Sequence, residues 1–241
     1  MPGPAKRVRD LVRSSPFLAQ TTQSAWIVAQ RALRPTKIRR HLAEHDRLRV
    51  MIGSGPTEVD GWLSTDLIPS RPDVVYLDAS ERFPFDDGSV HRIHTEHMIE
   101  HVDHETGRRM LAECARVLAP GGRIRIATPD FDRVVALAGP VDPEVAELFR
   151  RSNLRNGLDE EAAADPVYAV NRLFSEYGHR FLYTESLLTR ELQAAGLRQV
   201  RRYEVGESDD PELAGADHHG EQIDPGWNRY QTLVLEAVKP A

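Results

Sequence analysis

A short apolar run, Leu48-Arg49-Val50-Met51-Ile52, breaks off into Gly53-Ser54-Gly55-Pro56. A buried strand that meets two glycines and a proline has to turn at once, and the glycines leave that turn uncovered by any Cβ. Strand and helix patterns then alternate. Residues 74–77 form a second strand running into Asp78, residues 92–95 a weaker third, and residues 123–128, 200–205 and 231–238 further strands. Asp103 is placed to cap a helix whose Met110, Leu111, Cys114, Val117 and Leu118 recur at helical spacing and which Pro120-Gly121-Gly122 stops. Residues 185–195 read as a helix closed by Gly196. This alternation predicts an α/β domain whose mostly parallel sheet is covered on both faces, with ligands at the carboxyl ends of its strands.

Composition narrows the class. With 241 residues, 40% hydrophobic and 28% charged, the chain is sized for one globular domain, and no apolar stretch is long enough for a membrane span. The N-terminus shows no secretory signal, so a cytoplasmic location and no stable membrane insertion are expected. A single cysteine, Cys114, excludes a disulfide framework and reads as core. The net charge of −6 is uneven, because eleven Lys or Arg against three acids give residues 1–49 a charge of +8. The expected domains are a basic helical arm, 1–45, and one catalytic domain, 46–241, with an insertion at 131–184 and a loop at 206–230. Val8, Leu11, Val12, Phe17 and Leu18, then Trp26, Ile27, Ala29 and Leu33, suggest two short amphipathic helices in the arm. They could cap a pocket, form a homodimer, touch anionic lipid or pair with the chain's own acidic body. No RNA-binding motif accompanies the charge, so no nucleic-acid partner is expected.

The glycine turn is not a dinucleotide fingerprint, since Glu58 stands where the third glycine would fall. It gains weight from Asp66 and Asp78, each at the expected end of the next strands, where carboxylates can accept hydrogen bonds from ribose and from a nucleoside N–H. With Val50-Met-Ile-Gly53-Ser-Gly55, Leu77-Asp78-Ala79, Phe83-Pro-Phe-Asp-Asp-Gly-Ser-Val90, Ile99-Glu-His101-Val and Arg116-Val-Leu-Ala-Pro-Gly-Gly122 leading into Arg123-Ile-Arg-Ile-Ala-Thr-Pro-Asp130, the chain resembles class I S-adenosylmethionine-dependent methyltransferases. Outside this core, Gly61-Trp62, Gly178-His179-Arg-Phe-Leu-Tyr183 and Gly206-Glu-Ser are similar to small members of that family. Met51 and His91 depart from the pattern, standing where acids are usual.

The resemblance implies a Rossmann-like, doubly wound sheet of seven strands with a helical insertion. It also implies that Gly53, Ser54 and Gly55 lie against the amino-acid part of S-adenosylmethionine, Asp66 holds its ribose, Asp78 and Ala79 flank its adenine, and Thr95 and His97 lie beside its sulfonium. The expected reaction is O-methylation of a hydroxyl on a small molecule, a sugar or secondary metabolite, with N- or C-methylation as the alternative. His97 is the first candidate for a general base, since imidazole titrates near neutrality, and His179 the second. Tyr183, Asp217 and His218 are the substrate-side candidates, because the insertion and the 206–230 loop leave the sheet at the ligand edge. No metal is expected, although Asp217, His218, His219 and Glu221 could chelate a divalent ion in principle. A reading of another class also exists: His97-Met-Ile-Glu100-His101 fits the H-x-x-E-H pattern of zinc hydrolases, with Glu100 activating water. His101, between apolar neighbours, otherwise reads as a packed structural histidine.

Overall fold

The computed structural model describes residues 16–241, with side chains from residue 25 onward. Seven strands form one sheet: β1 (Arg49–Ile52), β2 (Leu63–Asp66), β3 (Val75–Tyr76), β4 (Val90–Glu96), β5 (Leu118–Pro129), β6 (Arg198–Tyr203) and β7 (Thr232–Val238). Their order is β3-β2-β1-β4-β5-β7-β6, with β7 alone antiparallel to its neighbours. The order reverses beside β1, between β1 and β4, and in doubly wound sheets ligands bind at such a switch point. The glycine turn leaves the sheet there.

The helices are α1 (Pro16–Glu44), α2 (His104–Val117), α3 (Phe131–Ala136), α4 (Pro143–Arg155), α5 (Glu160–Ala163), α6 (Pro166–Ser175), α7 (Glu185–Ala194) and α8 (Pro225–Gln231). α2 forms as its spacing predicts: Asp103 accepts from Thr106 N, and Met110, Leu111, Cys114 and Val117 are buried. They pack with Leu188 and Leu192 of α7 against Val50, Ile93, Ile124, Ile126 and Leu235, the main core. The second helix expected in the arm is part of a longer one, Pro16–Glu44, which runs through Pro35. Val8, Leu11 and Val12 lie outside the described residues, as do the side chains of Phe17 and Leu18. Helix α1 packs against β3, where Lys37 Nζ donates to Val74 O at 2.7 Å and the guanidinium of Arg31 lies 5.4 Å from the Tyr76 ring centre. Among the described residues no helix is long and apolar enough to cross a membrane.

The second sheet face is charged. In β4 and β5 the period of two puts Arg92, His94 and Glu96 beside Arg123 and Arg125, while the residues between them enter the apolar core. Residues 204–218 cross this face as a strap. Arg92 Nε meets Asp210 Oδ2 at 2.7 Å, and Arg49 lies 3.7 Å from Glu212. Fully buried Arg125 is clamped by Asp217, with Nε to Oδ1 at 2.9 Å, and by Glu236 at 2.7 Å.

Candidate functional site

Above the switch point lies a cavity of about 430 Å³. One part of its wall comes from strand ends: Gly53, Ser54 and Gly55, then Glu96 and His97 after β4, His101 and Pro129. The rest comes from the inserted helices and the last connection, including Ser152, Arg172, Tyr177, His179, His219 and Trp227.

The glycine turn is held by its neighbours. Ser54 N donates to Thr65 O at 3.0 Å and Gly55 N to Asp66 Oδ2 at 2.9 Å. Both glycines have positive φ, +71° and +54°, which only glycine adopts without strain. A Cβ on Gly53 would strike Met98, whereas one on Gly55 would meet nothing within 4 Å. Ser54 Oγ is buried and without a partner. An uncovered backbone beside an orphaned hydroxyl suits a ligand with a polar end, so the residues present fit the cofactor that the sequence implies. Asp66 and Asp78 end β2 and the β3 segment at the same sheet edge but do not line the cavity. Asp66 braces Gly55 and Ile68 N, and Asp78 caps Ser80 N at 2.9 Å. Ala79 likewise lies outside the wall.

The histidine cluster is built around Glu100. The segment 97–101 leaves β4 through His97, whose φ of +47° is the left-handed conformation rare for a side-chain-bearing residue. That turn carries His97 Nδ1 to 3.0 Å from Glu100 Oε1, while Thr128 Oγ1 donates to Oε2 at 3.0 Å. A carboxylate only accepts, so in the neutral ring Nδ1 carries the proton and Nε2 the basic lone pair. Burial lowers the affinity of His97 for a second proton, but the hydrogen bond and charge of Glu100 outweigh it and hold the imidazole above its ordinary range. His219 packs on His97 with ring centres 4.0 Å apart, and burial together with the His97 charge pushes it down to about 3. His179 Nδ1 donates to Leu173 O at 2.7 Å, which turns its Nε2 toward Glu100 Oε1, 4.0 Å away. Glu100, His101 and His179 place donor atoms within 4.8 Å of one another, the spacing of a loose cation site, yet both Glu100 oxygens are already engaged.

The structure places the other candidates away from the chemistry or in structural contacts. Thr95 is buried but points to the sheet face opposite Glu96, and the Glu96 side is the one that lines the cavity. Tyr183 is fully buried core, its hydroxyl against Gly107, and does not line this cavity. Asp217 is spent on Arg125, His94 and Gly206 N, and Arg125 and His94 hold its carboxyl far below the usual range in spite of burial. His218 pairs with Glu221 and lies outside the wall, one residue from His219, which forms part of it. Glu96 sets this register, since its carboxylate accepts from His218 N at 2.8 Å and His219 N at 2.9 Å. His101 is exposed on the cavity rather than packed. The H-x-x-E-H geometry does not form, because His97 precedes a 3-10 turn, Ile99–His101, and shares no helical face with His101.

Residues 62–126 match a family model described as a methyltransferase domain. Over that stretch the chain carries a methyltransferase domain. The chain matches none of the curated proteins. Among solved structures it is similar to a SAM-dependent methyltransferase from Archaeoglobus fulgidus, at 17% identity over 87% of this chain and 94% of that one, TM-score 0.46. A methyltransferase from Mesorhizobium loti is similar at 14% identity over 81% and 92%, TM-score 0.45. Phosphoethanolamine N-methyltransferase 2 from Haemonchus contortus is similar at 14% over 81% and 49%, TM-score 0.43.

Proposed function

We propose that this methyltransferase acts on a hydroxyl group of a small molecule, with His97 as general base. The observation that carries the reading is the His97–Glu100 dyad: a left-handed turn places an imidazole in the cavity wall and a buried carboxylate fixes its tautomer. Gly53, Ser54 and Gly55 would hold the amino-acid end of the cofactor, Asp66 its ribose, and Asp78 with Ala79 its adenine. S-Adenosylmethionine supplies, when bound, an electrophilic methyl group.

The chain's own residues do the rest. His97 Nε2 accepts the hydroxyl proton as the oxygen becomes nucleophilic, and Glu100 stabilises the imidazolium that results. His179, whose Nε2 also keeps its lone pair, stands within the same wall as a second acceptor for the proton. The inserted helices close over the strand ends and keep water from the attacking oxygen.

The test is a His97→Gln variant assayed against a panel of hydroxylated glycosides and phenols. Turnover is expected to fall about a hundredfold or more, the usual worth of a positioned base, while S-adenosylhomocysteine binds unchanged. Full turnover in the variant would remove His97 from the chemistry.

A further inference from the structure

Arg172 is a charge in the cavity wall that the methyl-transfer reading leaves unused. It stands on α6, only 6% exposed. Its Nη2 donates to Asn153 Oδ1 at 2.6 Å, and Asn153 is itself buried and fixed by a bond from Nδ2 to Ala163 O at 3.0 Å. Nε and Nη1 have no hydrogen-bond partner.

Nothing within the described wall neutralises it. Of the two acids nearest the chemistry, Glu96 is committed to the backbone of His218 and His219, and Glu100 to His97 and Thr128. Arg125, equally buried, shows what the fold does for a structural guanidinium: it supplies Asp217 and Glu236. Guanidinium does not deprotonate in proteins, and a buried charge without a counter-ion is costly, so a partner arriving from the cavity is the economical account.

We propose that Arg172 receives an anionic group of the acceptor, a carboxylate or a phosphate, so that the molecule methylated is a small hydroxylated acid or phosphate ester. Asn153 holds the guanidinium in place, and Ser152, Asn156 and Tyr177 of the same wall are placed to complete the polar end. The proposal rests on the methyltransferase reading for its acceptor and on Arg172 alone for its charge.

Calorimetric titration separates the two. The full chain, saturated with S-adenosylhomocysteine, is titrated with inorganic phosphate and with benzoate at constant ionic strength, and with methyl glucoside as a neutral control. One of the two anions is expected to bind, at least tenfold more weakly in Arg172→Met, with S-adenosylhomocysteine affinity unchanged. Which anion binds tells carboxylate from phosphate. The proposal fails if neither anion binds, or if both variants bind it equally. It fails too if Arg172→Met weakens S-adenosylhomocysteine but not methylthioadenosine, which lacks the carboxylate, for Arg172 then serves the cofactor. Arg172→Lys, which keeps the charge but not the planar donor array, reads the same contrast if the methionine variant does not fold. Loss of S-adenosylhomocysteine binding in the unmodified chain would instead defeat the methyltransferase reading.

Discussion

At the scale of the residue, the site depends on His97 holding a backbone conformation that its side chain disfavours, a cost of roughly 1 kcal/mol or more that the His97 N to Ala127 O bond at 2.8 Å helps to offset. Because Glu100 holds the imidazole above its ordinary 6.5, the base form dominates only above that pH. The rate is therefore expected to rise with pH on a limb lying above 6.5, and Glu100→Gln should move the limb to lower pH; a pH–rate profile of both proteins checks this. His219 has the opposite sign. Its folded value, about 3, lies below the unfolded one, so the unfolded chain binds the extra proton and stability is lost as pH falls below about 6.5. Urea unfolding between pH 7 and pH 4 should show that loss, and His219→Asn should reduce it. Other residues named from sequence lie outside the cavity wall for small geometric reasons. Thr95 and His218 each stand one position from a wall residue, because a strand alternates faces and because Glu96 captures two successive amides. Arg172 carried no sequence signal, since what marks it is the absence of a partner in space.

At the scale of the element, β1 and its turn were legible because an apolar run meeting Gly-Ser-Gly admits few conformations. Gly55→Val is expected to abolish measurable S-adenosylhomocysteine binding by calorimetry, since φ is +54° and the new side chain would occupy the open space above the turn. Helices α2 and α7 were legible through their caps and spacing. The charged sheet face was not read, although Arg-Ile-Arg-Ile in β5 states the alternation outright. A strand with arginine at every second position needs a strap that carries acids, and residues 204–218 supply Asp210, Glu212 and Asp217. Removing one partner of a buried pair leaves the other uncompensated, so Asp217→Ala should destabilise the fold by about 3–5 kcal/mol in urea denaturation. Replacing Asp217 and Arg125 together by apolar residues should cost much less. Tyr183 was placed on the substrate side because it belongs to the insertion; the space for its hydroxyl comes from Gly107, far away along the chain.

At the scale of the whole molecule, the mostly parallel sheet and its ligand edge followed from the strand–helix alternation, while the course of the arm did not, because its composition is compatible with several partners. The two ends of the sheet are protected differently. At one end β3, two residues long, is overlain by α1. At the other, β6 exposes Arg201 and breaks its register between Arg198 and Arg201, with Gln199 at φ +53°. Bulges and like charges on an outer strand discourage pairing with another chain. A chain truncated before residue 45 would keep the second protection and lose the first. Each molecule would then present one open end, which permits association in pairs and stops there. Light scattering of the truncated protein should accordingly show dimers that grow with concentration, without filaments.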